Sequence, residues 1–266
     1  MSPADNAPVP PSSPRSLRWP LGIAVLVSLL GGAGVFFVLR PPEPPPEPTP
    51  QYAEPPPPTT PPPPAVQLSG TDPHIRDVLK GLSSDADFLR WLSSEDLARR
   101  FAAATNLIAE GQSPRMPLSF MAPTGTFQVV NRKGHSVMAP ESMARYDVVA
   151  RVVASVDTKA VQRVYQELKP LLDAAHAELA PPGRSLDQAL AQALGRLTAV
   201  PVPKAPVELT PKGALYAYAD PNLEALGAAE KHLLRMGPDN MRKVQAKLRE
   251  FATTLALPSQ EQARQP

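Results

Sequence analysis

EDLARRFAAATNLIAE, Glu95 to Glu110, is the stretch from which the fold is read. Leu97, Phe101, Ala104 and Ile108 recur at spacings of four, three and four, which places them on one face of a helix. Such a face is stable in water only when other apolar faces cover it, so the stretch implies a packed helical domain. Ser93 or Ser94 is the expected cap, and Gly111 the stop. Glu95 with Arg99 and Asp96 with Arg100 have i,i+4 spacing, and surface pairing is their plainest reading.

Upstream, Asp72 and Pro73 have the form of an N-cap and a first-turn proline for a short helix. Ser84 and Asp85 can cap the next, which carries Phe88, Trp91 and Leu92. Downstream the period changes: Thr126–Val130 and Ser136–Met138 flank turn residues and predict a hairpin. Helical patterning returns after Pro140, and again from Asp157 with Val161, Tyr165, Leu168, Leu172, Ala175 and Leu179 in a stripe. Pro170 should kink or break that helix. Ser185 caps another helix, Val207–Leu209 and Leu215–Tyr218 predict a second hairpin, and Asp220–Pro221 opens a helix stopped at Gly237–Pro238. The last helix repeats at Met241, Val244, Leu248, Phe251 and Leu255. The expected fold is mostly α (α+β): a helical, bundle-like domain at 69–257 with two small β-hairpins.

Further out, Pro41 to Pro64 holds 15 prolines in 24 residues. That segment should favour extended polyproline II, so 41–68 is read as a semi-rigid spacer. Before it, Trp19 to Arg40 has no charge between Arg18 and Arg40. As a helix, Leu21–Leu39 would reach about 28 Å, near the hydrocarbon thickness of a bilayer. A cleaved signal peptide is the competing reading of 19–40, but Val35–Leu39 continue the apolar run past the small residues at 32–34. One transmembrane anchor is therefore expected. Arg15 and Arg18 precede it and only Arg40 follows closely, which places the head 1–18 in the cytoplasm and the domain in the periplasm. Ala24, Ser28 and Gly32 recur every four residues, a candidate seam for a homodimer through the anchor. The head and the tail 258–266 are too polar to pack and are expected to be disordered.

From Ala65 onward, 24 Lys and Arg stand against 21 Asp and Glu, a balance that argues against nucleic acid as partner. Absence of cysteine excludes disulfides, thiolate chemistry and an acylated cysteine anchor. His74, His135, His176 and His232 are scattered without metal-ligand spacing, and no phosphate loop or nucleophile elbow occurs. No cofactor, metal or catalytic residue is expected. Candidate binding residues are Arg99, Arg100, Asn106, Arg145, Tyr146, Asp147, Lys231, Arg235 and Asn240. Arg145 has Asp147 and Glu141 within pairing reach as an alternative to a ligand. Lys231 and Arg235, one helical turn apart with Asn240 beyond, would form a cationic patch for a carboxylate or phosphate, or else complement a helix C-terminus.

Several of these residues carry a family resemblance. Arg99, Arg100, Phe101, Asn106, Leu107 and Gly111, then Arg145, Tyr146 and Asp147, then Tyr165, Pro170 and Leu171, resemble an uncharacterised bacterial family, domain of unknown function 3014 (DUF3014). So do Tyr216, Asp220, Pro221, Leu223 and Glu224, and most specifically Lys231, Leu233, Leu234, Arg235, Met236, Gly237, Pro238 and Asn240. The resemblance implies an envelope protein of Gram-negative-type bacteria with an anchor and proline-rich spacer, and brings no activity with it. The reading is an inner-membrane scaffold or adaptor whose partners are the cytoplasmic membrane and an envelope protein or peptidoglycan. The alternatives are a cell-wall glycan hydrolase or a regulator of one, and a periplasmic small-ligand sensor.

Overall fold

The computed structural model describes residues 66–181 and 183–258. The head, the anchor with its Ala24, Ser28 and Gly32 seam, and nearly all of the spacer and of the tail lie outside the described residues. Among the described residues no helix is long and apolar enough to cross a membrane.

The domain is mostly helical with two small antiparallel hairpins. In order come α1 (Asp72–Leu79), a 3-10 turn (Lys80–Leu82), α2 (Ala86–Trp91) and α3 (Leu97–Ala109). Hairpin β1 (Val129–Arg132) and β2 (His135–Met138) leads into α4 (Pro140–Ala144), α5 (Asp147–Ser155) and α6 (Thr158–Ala177). Then follow α7 (Leu186–Ala199), hairpin β3 (Leu209–Lys212) and β4 (Leu215–Tyr218), α8 (Pro221–Glu224), α9 (Ala228–Leu234) and α10 (Gly237–Thr254).

Two apolar clusters hold these elements. The first joins α1, α3, α6 and α7 through Ile75, Ala98, Ala102, Tyr165, Leu168, Leu186 and Leu190. The second joins α5, the β3–β4 hairpin, α9 and α10 through Ala150, Leu209, Tyr218, Leu233, Met241 and Val244. Leu248 of α10 packs against both, so the last helix couples them. Each fully buried Leu or Met side chain contributes about 1.5–3 kcal/mol. Gln245 is buried on the same helix and donates from Nε2 to the carbonyls of Leu197 and Val200 at 2.9 and 2.8 Å, closing the open end of α7.

Helix starts differ from expectation in an instructive way. Asp72 lies within α1, and its carboxylate accepts from the backbone N–H groups of Asp96 (2.8 Å) and Leu97 (2.9 Å). It therefore caps α3 from a distance, in place of Ser93 or Ser94. Asp96 there has φ 55°, outside the helix. Glu95 and Asp96 thus precede the first helical turn, the expected pairs Glu95–Arg99 and Asp96–Arg100 do not form, and Asp96 meets Arg99 instead at 3.4 Å. Asp85 and Ser185 do cap their helices, the latter in a reciprocal box with Gln188.

The hairpins turn on two residues each. Lys133 and Gly134 both have positive φ, 54° and 85°, the geometry that suits the twist of a tight hairpin, so Asn131 and Arg132 join β1 while Thr126–Gln128 stay outside it. Pro170 leaves α6 a single helix, and Leu179 lies beyond its end and exposed. The helix expected after Pro140 breaks at Arg145–Tyr146. The one after Asp220 breaks at Gly227, where a Cβ would lie 2.5 Å from Glu230 Oε2 and 2.6 Å from the Gly111 carbonyl.

Candidate functional site

A backbone bridge between Val137 and Glu208 joins the hairpins side by side. The Phe127 and Tyr216 rings meet across them with centroids 6.1 Å apart at 52°. Both remain open to solvent, 39% and 45% exposed, beside a 73% exposed Leu215. The break between α4 and α5 puts Arg145 next to them. Its Nη1 donates to the Gly125 carbonyl at 2.9 Å and its Nε to that of Ser142 at 3.2 Å. The guanidinium lies 6.0 Å from the Phe127 centroid and 5.8 Å from that of Tyr146, within cation–π range. Gly125 has φ +80°, which glycine supplies without strain.

Arg145 pairs with neither Asp147 nor Glu141. The helix break sends the three consecutive candidates apart: Arg145 toward the hairpins, Tyr146 against the second cluster, Asp147 toward α10. Ser142 was invisible as a site residue. It is fully buried, and its hydroxyl accepts from Gln128 N–H at 2.6 Å and donates to the Gln128 carbonyl at 3.0 Å, fixing α4 to the first hairpin.

Beside this face lies a charged cluster on β4, α8 and α9. Glu224 accepts from the Tyr218 backbone N–H at 3.1 Å and pairs with Lys231 at 3.2 Å, and these contacts hold its carboxyl below its ordinary pKa. The Tyr218 hydroxyl is buried without a partner, and burial pushes its pKa up to about 12. Arg235 Nη1 lies 3.4 Å from His232 Nδ1, and His232 Nε2 lies 2.7 Å from Ser113 Oγ. Burial first, and then the charges of Arg235 and Arg115, pull the His232 pKa down.

The patch expected from Lys231, Arg235 and Asn240 is thereby divided. Lys231 is tied to Glu224, Arg235 turns to His232, and Asn240 is buried against the opposite helix. Asn240 Nδ2 donates to Asp147 Oδ1 at 2.8 Å and to the Met236 and Met143 carbonyls at 3.2 and 3.4 Å. An open groove of about 910 Å³ runs beside this pair, walled by Met143, Val148, Met236 and Pro238 with Arg151 and Lys243 at its edges. Arg151 is committed to Asp85 and Asp87.

The remaining candidates lie in the helical half. Arg99 makes a two-pronged bond to Glu178 at 2.7 and 3.0 Å. Arg100 donates to the carbonyls of Glu95 (2.7 Å) and Pro117 (3.0 Å). Both side chains therefore have partners within the domain. Asn106 is different, because both polar atoms of its amide are buried without partners. A second junction lay hidden in the sequence: Arg196 Nη1 bonds Glu230 at 2.7 Å where Gly111 and Gly227 leave no room for side chains, beside a cavity of about 260 Å³. Among the described residues no three of His, Asp or Glu come together to hold a metal.

The described class is thus a mostly helical module with paired hairpins presenting an aromatic and cationic face. A family model described as "Protein of unknown function (DUF3014)" matches residues 97–252, more than half of the chain, from α3 into α10. The chain belongs to that family. No curated protein and no solved structure matches it.

Proposed function

We propose that the chain is a single-pass inner-membrane protein that presents its domain on a proline-rich stalk in the periplasm and works there as an envelope scaffold or adaptor. The partner docks on the hairpin face. The observation that carries this reading is the solvent-open Phe127–Tyr216 pair beside Arg145, whose charge has no carboxylate within pairing distance among the described residues. Aromatic and arginine side chains dominate binding energy at protein interfaces because they combine large apolar area with directional donors.

Two measurements test it. Protease accessibility of a C-terminally tagged chain in intact cells, spheroplasts and lysed cells reports the compartment; cleavage only after lysis rejects the periplasmic placement. A photo-cross-linking residue at Tyr216, with one at exposed Leu179 as control, reports the face. A discrete envelope partner captured from position 216 alone is expected, and equal capture from both positions rejects the face.

A further inference from the structure

His232 on α9 has both ring nitrogens engaged, Nε2 with Ser113 Oγ at 2.7 Å and Nδ1 with Arg235 Nη1 at 3.4 Å. A guanidinium only donates, so Nδ1 is the acceptor and Nε2 carries the proton given to Ser113. The ring is therefore neutral. Arg115, exposed in the segment after α3, adds a second positive charge acting on it. Neither Arg235 nor Arg115 has a carboxylate within 4.0 Å among the described residues, and the nearby carboxylate of Glu224 is taken up by Lys231 and the Tyr218 N–H. Arg235 touches the imidazole directly, and Arg115, two residues beyond the Ser113 that bonds the other ring nitrogen, brings a second guanidinium into the same region with no counter-charge, an arrangement that an anion relieves.

We propose that Arg235, Arg115 and His232, with Ser113, form a binding site for a small oxyanion, the phosphate or carboxylate group of a ligand. This site is separate from the hairpin face and stands whether or not that face docks a partner. The guanidiniums supply fixed N–H donors. With an anion present, protonation of Nδ1 turns it from an acceptor for Arg235 into a donor for the ligand, while the Nε2–Ser113 bond persists. The charged and polar groups facing the ring are Arg235 at the end of its own helix and Ser113 and Arg115 from the segment after α3, none of them acidic. Anion binding and proton uptake at His232 must therefore favour each other.

The test is an NMR titration of the His232 ring in the full-length chain, held in detergent micelles and assigned with His232→Gln. Sodium phosphate and sodium acetate are the probes, against chloride at matched ionic strength. The expected result is a saturable shift of the ring resonance and a His232 pKa raised by about half a unit or more, hence about threefold tighter binding to the protonated form. Arg235→Gln should weaken binding about tenfold, and Arg115→Gln, at an exposed position that leaves packing intact, about threefold. Lys231→Gln should leave affinity unchanged. The tighter probe identifies the ligand group as phosphate or carboxylate. Identical His232 titrations in phosphate, acetate and chloride overturn the proposal, as does unchanged affinity in the Arg115→Gln variant.

Discussion

The helical half and the hairpin half of the domain handle their cations differently. At the seams between α3, α6 and α7, charge meets charge: Arg99 with Glu178, Lys169 with Asp173 and Asp187, Arg184 with Glu110. In the hairpin half Arg145 bonds carbonyls and stacks on rings, Arg235 faces an imidazole, and the Tyr218 hydroxyl has no partner. The first arrangement pairs its cations with carboxylates, although Asn106 in α3 keeps both amide atoms buried without partners. The second also pairs one cation, Lys231 with Glu224, but leaves donors and aromatic surface unspent, and the proposed docking face rests on that difference.

The largest test of the contrast uses its glycines. Gly227→Ala places a methyl against the Glu230 carboxylate and the Gly111 backbone, neither free to withdraw, and should destabilise the domain by about 3 kcal/mol in urea unfolding. Gly81 in the helical half has open space around the Cβ position, so Gly81→Ala should be neutral or slightly stabilising. Equal losses would erase the distinction. Next in size, Arg145→Ala should cut cross-linking from position 216 by about tenfold, or 1.4 kcal/mol of binding, while Arg99→Ala leaves it unchanged.

Asp72→Ala should cost about 1 kcal/mol, because it removes the cap of α3 rather than of its own helix. Hydrogen exchange should then rise first at Asp96 and Leu97. The smallest effect is one of pH. The folded pKa of His232 lies below its ordinary 6.5, so the unfolded chain binds the proton more readily. Stability is full above about pH 6.5, falls as pH drops from there through the folded pKa, and does not recover below it. His232→Gln should flatten that part of the curve, measured by denaturant midpoints without phosphate. Glu224 has the same sense at lower pH: its contribution is present above the ordinary carboxylate range and lost as pH falls through its depressed value, and Glu224→Gln removes that acid-side drop.

Much of the fold was legible, and the reason is local. The apolar periods of α6 and α10, the caps Asp85 and Ser185, and the presence of two hairpins are properties of neighbours in the chain. The buried face of α3 (Ala98, Ala102, Thr105 and Ala109) instead lies one residue on from Leu97, Phe101 and Ile108, and β3 runs through Thr210, Pro211 and Lys212 where a turn was expected. The break within the α8–α9 segment was not legible, since it comes from Glu230 and the Gly111 backbone filling the space beside Gly227, more than a hundred residues from one side of the contact. Of the site candidates, Arg145 and Arg235 were found as charged residues on helices. Their contacts Phe127 and His232, and Tyr216 and Ser113 that touch those in turn, were not, because ring–guanidinium and imidazole–guanidinium contacts follow no spacing along the sequence.

By itself the sequence determined a mostly helical domain with two hairpins and its membership of the family, and it supplied the anchor and stalk reading on which the proposed placement rests. These depend on periodicity, composition and short motifs, which act over a few residues. Tertiary structure alone decided that Asp72 caps α3, that Lys231 and Asn240 leave Arg235, and that Arg145 faces aromatic rings instead of a carboxylate. A side chain has several possible partners of equal chemical merit, and only the packing of distant segments selects which one lies within 3 Å.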